Sequence, residues 1–257
     1  PFLVTSRNAA TLPPTFTATA TETPSSTPSP TVTLQPLSDF ALLAAFRGPE
    51  QAADLYRLRA DGADLSFVLA AASDVTVDRR GQRLAFARVV DYGPDAQSAE
   101  AASVTEIFAG PAADPAAAQQ ITRIRTASAH SPTFSPSGDQ LLFVSDFDGD
   151  DELWLYDFNT SITSQLTDNA YSDRDPAWSP DGERVVYASD QDSPGLPELY
   201  LLTFDPDSEA GIAGEGFTLA RLTDAAGSST QPTWLPDGSR IVYVNDGDGD
   251  EDLFSMD

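Results

Sequence analysis

From residue 39 onward, apolar and polar residues alternate with a period of two in short segments that are bounded by turn residues. Such segments are typical of β-strands that bury one face and expose the other. Three of the turns contain Pro-Ser-Gly or Pro-Asp-Gly, in which proline fixes one dihedral angle and glycine allows a positive φ. The alternation therefore predicts an all-β protein built from antiparallel hairpins.

Three signals recur in a constant order and divide this part of the chain into five units. One is an apolar or aromatic strand with its turn, at residues 132–138, 176–182 and 232–238, with a degenerate copy at 75–81. Another is a triplet of an acidic, an aliphatic and an aromatic residue, at 54–56, 106–108, 152–154, 198–200 and 252–254. The last is a strand end, at 121–122, 166–167 and 222–223. Repeats of about 50 residues indicate one supersecondary unit per repeat.

The units predict a β-propeller of four-stranded antiparallel blades over residues 38–257. A single four-stranded meander cannot bury both of its faces, and stacking the units around an axis solves this problem. We count three strands in the first unit, four in each of the next three, and three in the last. A parallel β-helix is the alternative, and it fits less well because the units are long and contain hairpin turns.

The turn segments resemble the TolB-like propeller repeat, a relative of WD-type repeats, whose hallmark is Pro-x-Trp-Ser-Pro-Asp-Gly followed by a strand and an Asp-rich turn. Residues 176–190 match this pattern almost letter for letter, and residues 132–146 and 232–246 match it closely. The copy at Val75 lacks the prolines and the aromatic residue. Residues 91–103 and 205–216 are insertions relative to the pattern.

The resemblance implies a ring of six blades, of which about one would lie downstream of residue 257. A smaller ring closed by a strand at residues 31–34 is the alternative. TolB-like propellers serve as periplasmic partner-binding domains, as sensor domains, and as the substrate-gating domains of prolyl-oligopeptidase-type peptidases.

Residues 1–37 differ from the rest of the chain and predict a disordered linker or stalk. Thr, Ser and Pro occupy 21 of the first 36 positions, and Arg7 and Glu22 are the only charged residues among them. Such a composition cannot bury a core and favours extended conformations. Stalks of this kind commonly hold an exported domain away from an upstream anchor, so we expect an extracytoplasmic protein. An ordinary interdomain linker is the alternative.

Composition excludes several classes of function. The chain has 40 acidic and 14 basic residues and a net charge of -26, which disfavours nucleic acid and anionic membranes as partners. It has no cysteine, hence no disulfide or thiol nucleophile, and its single histidine disfavours most zinc sites. No run of 18 apolar residues is present, so the sequence predicts no transmembrane segment.

Much of the negative charge falls in connections that a meander places at one end of the ring. These are the turns between the second and third strands of each unit and the links between units. We predict that this end binds a protein or peptide, and its negative charge suits a basic one. Its candidate residues are His130, Asp168, Asp173, Arg174, Asp175, Asp190, Asp192 and Asp224.

Two Asp-rich turns also present oxygens at alternate positions, as a calcium loop does. The candidate ligands are Asp146, Asp148 and Asp150 in one turn and Asp246, Asp248 and Asp250 in the other. An EF-hand would have glycine at the sixth loop position, where this chain has Asp151 and Glu251. A solvated hairpin is therefore the favoured interpretation and a calcium site the alternative. We predict no other cofactor.

Catalysis is not expected from this chain. His130 and Ser131 are adjacent, so on an extended segment they point apart, and no Gly-x-Ser-x-Gly elbow occurs. The repeated acids Glu106, Glu152 and Glu198 recur too regularly for one active site, and we expect them to hold blade edges, with arginines as their candidate partners. The tryptophans at 154, 178 and 234 lie at repeat positions, which indicates core packing between blades.

The leading functional hypothesis is a non-catalytic, extracytoplasmic propeller that binds a protein or peptide. The alternatives are the gating propeller of a serine peptidase whose catalytic domain is not in this chain, and the extracellular sensor domain of a membrane kinase or regulator.

Overall fold

The computed structural model describes residues 42–47, 53–58, 66–93, 103–205 and 216–257. The stalk at 1–37, the strand predicted at 31–34 and most of both insertions lie outside these residues. Apart from one short 3-10 helix at Pro115–Ala117, the described residues form strands and connections. Among the described residues, no helix is long and apolar enough to cross a membrane.

In the described part of the chain, eighteen strands build five antiparallel sheets, which we number blades 1 to 5 in chain order. Blade 1 contains β1 (Leu42–Arg47), β2 (Ala53–Leu58) and β3 (Ser66–Leu69). Blade 2 contains β4 (Ala72–Val77), β5 (Arg83–Asp91), β6 (Ser103–Pro111) and β7 (Gln119–Gln120). Blade 3 contains β8 (Ala129–Phe134), β9 (Gln140–Ser145), β10 (Glu152–Asp157) and β11 (Ile162–Gln165). Blade 4 contains β12 (Asp173–Trp178), β13 (Arg184–Ser189), β14 (Glu198–Phe204) and β15 (Phe217–Arg221), and blade 5 contains β16 (Ser229–Trp234), β17 (Ile241–Asn245) and β18 (Asp252–Met256).

This arrangement confirms the β-propeller and the strand count of each unit. The first strands of blades 2 to 5 lie next to one another, so they surround the axis of the ring. Blade 1 differs from blade 5 in which strands its described residues supply. The acidic–aliphatic–aromatic triplet is on the second described strand of blade 1 but on the third strand of the other blades. A sixth blade stays a prediction.

Apolar side chains between neighbouring blades form the core. Four clusters of buried residues lie at the four successive blade interfaces. Trp178 is part of the cluster between blades 3 and 4, while Trp154 and Trp234 pack against the neighbouring clusters. The prediction that the tryptophans belong to the inter-blade core is confirmed.

The repeated acid and the repeated threonine form one hydrogen-bonded device. In blade 2, the Thr122 hydroxyl donates to the Glu106 carboxylate and accepts a hydrogen bond from the backbone N–H of Ile107 at 2.9 Å. In blade 4, the hydroxyl of Thr223 has the same two kinds of partner, Glu198 and the backbone N–H of Leu199. Arginine takes part only at Glu198 among the described repeats, through Arg221 at 3.2 Å. The expectation that arginines hold these acids was therefore wrong for Glu106 and Glu152: Glu106 is bound by the Thr122 hydroxyl and the backbone N–H of Ile124, and Glu152 by the backbone N–H of Asn169.

Candidate functional site: the acidic end of the ring

The turns between second and third strands meet the inter-blade links around a cavity of about 360 Å³. The first strands of the blades bring these connections together, because each link runs directly into a strand that faces the axis. The lining residues come from blades 2 to 5: Asp74, His130, Ser131, Asp151, Arg174, Asp175, Pro197, Ser228, Thr230, Gln231, Val244, Asp246 and Glu251.

The first strands of blades 2 to 5 each contain a residue with a left-handed backbone conformation at the equivalent position. Asp74, Ser131, Asp175 and Gln231 have φ values of 49°, 51°, 54° and 52°. Each lies in a β-bulge between the first and second strands of its blade. Non-glycine residues rarely adopt this conformation, and bulges re-aim side chains next to functional sites. All four residues line the cavity.

The left-handed positions are also linked from blade to blade. The carboxylate of Asp74 accepts a hydrogen bond from the backbone N–H of Ser131 at 3.3 Å. Two blades further on, the carboxylate of Asp175 accepts one from the backbone N–H of Gln231 at 3.3 Å. These bonds fix two carboxylates at the wall of the cavity.

Negative charge dominates the cavity. Five carboxylates line it, from Asp74, Asp151, Asp175, Asp246 and Glu251, against one arginine and one histidine. A recess of this kind concentrates the field of its charges and attracts cations.

Asp151 is the point at which both cationic side chains converge. Its Oδ1 lies 3.4 Å from His130 Nε2, and its Oδ2 lies 3.9 Å from Arg174 Nη2. The hydrogen bond from His130, helped by the charges of His130 and Arg174 and opposed by burial, lowers the pKa of Asp151. Burial alone would lower the pKa of His130, but the hydrogen bond and charge of Asp151, together with Asp74 and Asp146, raise it overall.

The candidate residues of the acidic end fall into three groups. His130, Arg174 and Asp175 line the cavity. Asp192 and Asp224 bind Arg221 on the outer side of blade 4, both at 2.9 Å. Asp168 and Asp190 lie in connections beside the cavity, and Asp173 lies at the start of β12; none of the three lines the cavity. Asp190 accepts a hydrogen bond from the backbone N–H of Ser172, and the charges of Asp168 and Asp190 contribute to raising the pKa of Asp150.

Asp173 is fully buried and faces a second buried acid, Glu152. Asn169 bridges the pair: its backbone N–H donates to Glu152 Oε1 at 2.6 Å, and its side-chain amide donates to Asp173 Oδ2 at 2.9 Å. The other oxygen of each carboxyl group has no hydrogen-bond donor. Burial, followed by the neighbouring negative charge, raises the pKa of Glu152 to about 8, and burial also raises the pKa of Asp173.

The Asp-rich turns use some of their carboxylates internally. Asp146 accepts the backbone N–H of Ser128 at 2.6 Å, and Asp246 accepts that of Ser228 at 2.5 Å. Asp148 accepts the side-chain amide of Gln165 at 2.6 Å. Among the residues that the structure describes, no group of three or more His, Asp or Glu is placed to hold a metal ion.

The calcium alternative stays a prediction that titration calorimetry tests. A calcium loop at residues 146–151 would release heat on binding calcium, and the double substitution Asp148→Asn/Asp150→Asn would abolish that heat because it removes two charged ligands. The hairpin interpretation predicts no heat, or heat that the double substitution leaves unchanged.

Sequence reasoning missed Asp74, Asp151, Gln231 and Glu251 as lining residues. Asp151 and Glu251 had been noted only as departures from the EF-hand pattern. The one signal for the others was positional: Ser131, Asp175 and Gln231 all directly precede the proline of the repeat, and Asp74 precedes the equivalent Val75.

Comparisons with known proteins agree with this fold. Residues 114–217 match the model of the TolB beta propeller domain family. The curated proteins include no significant match. Among solved structures, TolB from Acinetobacter baumannii is 20% identical with a TM-score of 0.62, over 84% of this chain and 49% of that protein. A putative TolB from Agrobacterium tumefaciens is 19% identical with a TM-score of 0.63, over 84% of this chain and 77% of that protein.

The same fold occurs in a peptidase. A puromycin-hydrolyzing peptidase from Mycobacterium tuberculosis is 14% identical with a TM-score of 0.58, over 84% of this chain and 34% of the peptidase. This chain thus spans about half the length of the A. baumannii TolB and a third of the peptidase. Identities this low establish the fold alone. By its repeats and its structure, the chain is a β-propeller repeat protein, and its residues 114–217 match the TolB beta propeller domain family.

Proposed function

We propose that this chain is a non-catalytic, extracytoplasmic binding domain whose acidic cavity receives a basic segment of a protein or peptide. The observation that carries the proposal is the cavity itself, in which five carboxylates outnumber one arginine and one histidine. Lysine and arginine side chains, or a peptide N-terminus, are the groups that such a recess accepts most readily. The Thr/Pro-rich residues 1–37 support an exported location.

A binding measurement with a matched control tests the proposal. The probe is a fluorescein-labelled nonapeptide of alternating glycine and lysine, and the reference is its glycine–glutamine counterpart. We expect the wild-type chain to bind only the lysine peptide and to lose affinity as ionic strength rises, because exposed charges are screened within about 10 Å at 0.1 M salt.

The decisive variant is Asp74→Asn/Asp175→Asn. Asparagine still accepts the backbone hydrogen bonds that Asp74 and Asp175 receive, so the bulges are preserved while two charges are removed. We expect the affinity for the lysine peptide to fall by about tenfold or more. The control, Asp181→Asn/Asp237→Asn, removes the same charge from turns at the opposite end and should leave the affinity within about twofold. Equal losses in the two double variants would contradict the proposed site.

A second candidate is supported by the fold shared with the puromycin-hydrolyzing peptidase. In that case the ring would gate access to a catalytic domain encoded elsewhere in a longer protein. Sequencing the gene beyond the codon for residue 257 discriminates the two, since a downstream α/β-hydrolase with a serine elbow would favour the peptidase.

A further inference from the structure

Two side chains of the chain itself, His130 and Arg174, contact one carboxylate in the cavity. Asp151 has His130 at one oxygen and Arg174 at the other. Each belongs to the first strand of its own blade, β8 for His130 and β12 for Arg174, while Asp151 belongs to the turn between β9 and β10. Three separate segments therefore meet at the carboxylate.

Both contacts are loose. The distances of 3.4 and 3.9 Å are at the long end for ion pairs, and the Arg174 side chain is 44% exposed. Partly exposed pairs of this length contribute little stability. The Nε of Arg174 is buried and has no hydrogen-bond partner, so no hydrogen bond at this atom holds the guanidinium group in place.

The other three aspartates that line the cavity have backbone partners instead. Asp74, Asp175 and Asp246 each accept a backbone N–H from a neighbouring segment. A backbone donor cannot leave, whereas a side chain such as that of Arg174 can rotate away. Of the four aspartates that line the cavity, Asp151 is therefore the one from which an incoming cation can displace the present partner.

We propose that Arg174 and His130 are built-in competitors for the cationic group of the ligand, and that they set the affinity of the cavity. This inference rests on the proposed function. Arg174 occupies the place at Asp151 that a lysine or arginine of the ligand would take, and it leaves when the ligand binds. His130 holds the other oxygen and strengthens its hold when it is protonated.

The histidine makes this competition depend on pH. The charged groups that face His130 are Asp151, Asp74, Asp146 and, across Asp151, Arg174. The carboxylates favour the protonated ring and raise its pKa. As the pH falls from about 8 to about 5.5, His130 gains a charge, the cavity becomes less negative, and a basic ligand should bind more weakly.

Binding of the lysine nonapeptide to four proteins tests the proposal: wild type, Arg174→Gln, His130→Gln and Arg240→Gln. Arg240 lies at the opposite end of the ring in a pair with Asp257 at 2.9 Å, so it controls for the loss of one positive charge. At pH 8 we expect Arg174→Gln to bind about three- to tenfold more tightly than wild type, and Arg240→Gln to be unchanged. With Glu152→Gln introduced into both proteins, because Glu152 titrates in the same range, we expect the affinity of the His130 protein to fall by about three- to tenfold on going to pH 5.5 and the His130→Gln protein to show a flat profile.

Each other outcome is informative. If the wild-type chain binds the lysine peptide and Arg174→Gln binds it equally well or more weakly, the proposed competition is overturned. The proposed function is then still intact. Binding of an acidic glycine–glutamate nonapeptide that disappears in Arg174→Gln would also overturn it, because Arg174 would then anchor a carboxylate of the ligand. Failure of every protein to bind the lysine peptide would instead count against the proposed function.

Discussion

Leu153→Ala should lower the free energy of unfolding by about 2–5 kcal/mol, the range for truncating a fully buried leucine. Leu153 is 0% exposed in the cluster between blades 3 and 4. Its backbone N–H is also bound by the Thr167 hydroxyl, so the cavity left by truncation cannot close by a backbone shift without losing that bond. Urea denaturation followed by tryptophan fluorescence measures the change.

Leu253 provides a control at the equivalent position of another repeat. It occupies the equivalent position of the triplet in blade 5, yet it is 77% exposed. Leu253→Ala should therefore change the free energy of unfolding by less than about 0.5 kcal/mol. Similar losses for the two substitutions would contradict the assignment of the blade 3–blade 4 interface as the core.

The stability of the folded chain should fall as the pH rises from about 5 to about 8.5, and the buried pair Glu152–Asp173 is the main cause. Raised pKa values in the folded state mean that the folded chain keeps a proton which the unfolded chain has released. Stability is therefore present near the ordinary carboxyl pKa and is lost as the pH rises through the folded pKa. We expect a loss of about 2–5 kcal/mol, since the pKa of Glu152 is raised from 4.5 to about 8 and each unit corresponds to about 1.4 kcal/mol.

Two substitutions should remove this dependence. Glu152→Gln mimics the protonated acid, and Asp173→Ser introduces the residue that blade 5 has at its equivalent position, Ser229. The raised pKa of His130 also makes the stability fall as the pH rises, so the comparison is made in a His130→Gln background. EDTA is added so that calcium binding by the Asp-rich turns does not contribute. Asp224→Asn, whose side chain is 90% exposed, should leave the slope unchanged. Slopes that survive both Glu152→Gln and Asp173→Ser would show that the pair does not store the proton.

The buried acids of the triplets illustrate what the sequence repeats predict and what they do not. Glu106, Glu152 and Glu198 are equivalent in sequence, and their structural role followed from their regular spacing. The residue at the start of the next blade differs between the three repeats: it is Ala129, Asp173 or Ser229. Only the packing of consecutive blades brings that position to the acid, so the unusual titration of Glu152 depends on tertiary structure.

The sequence by itself determined the fold and the placement of charge along it. Strand alternation, turn residues and the three repeat signals are local, and each follows from the conformational preferences of a few neighbouring residues. The meander rule then assigned His130, Arg174 and Asp175 to the end of the ring where the cavity lies.

Tertiary structure alone decided which of these residues share a site. A residue before proline ordinarily favours an extended conformation, so local rules place Ser131, Asp175 and Gln231 in regular strand. The bulges instead give them left-handed conformations, because the first strands must bend as they line the axis. That bend lets the carboxylates of Asp74 and Asp175 each bind the left-handed residue of the next blade. It also leaves Asp151 between His130 and Arg174. Contacts between residues that are far apart in sequence carry no local signal, and for this reason they appeared only in the folded ring.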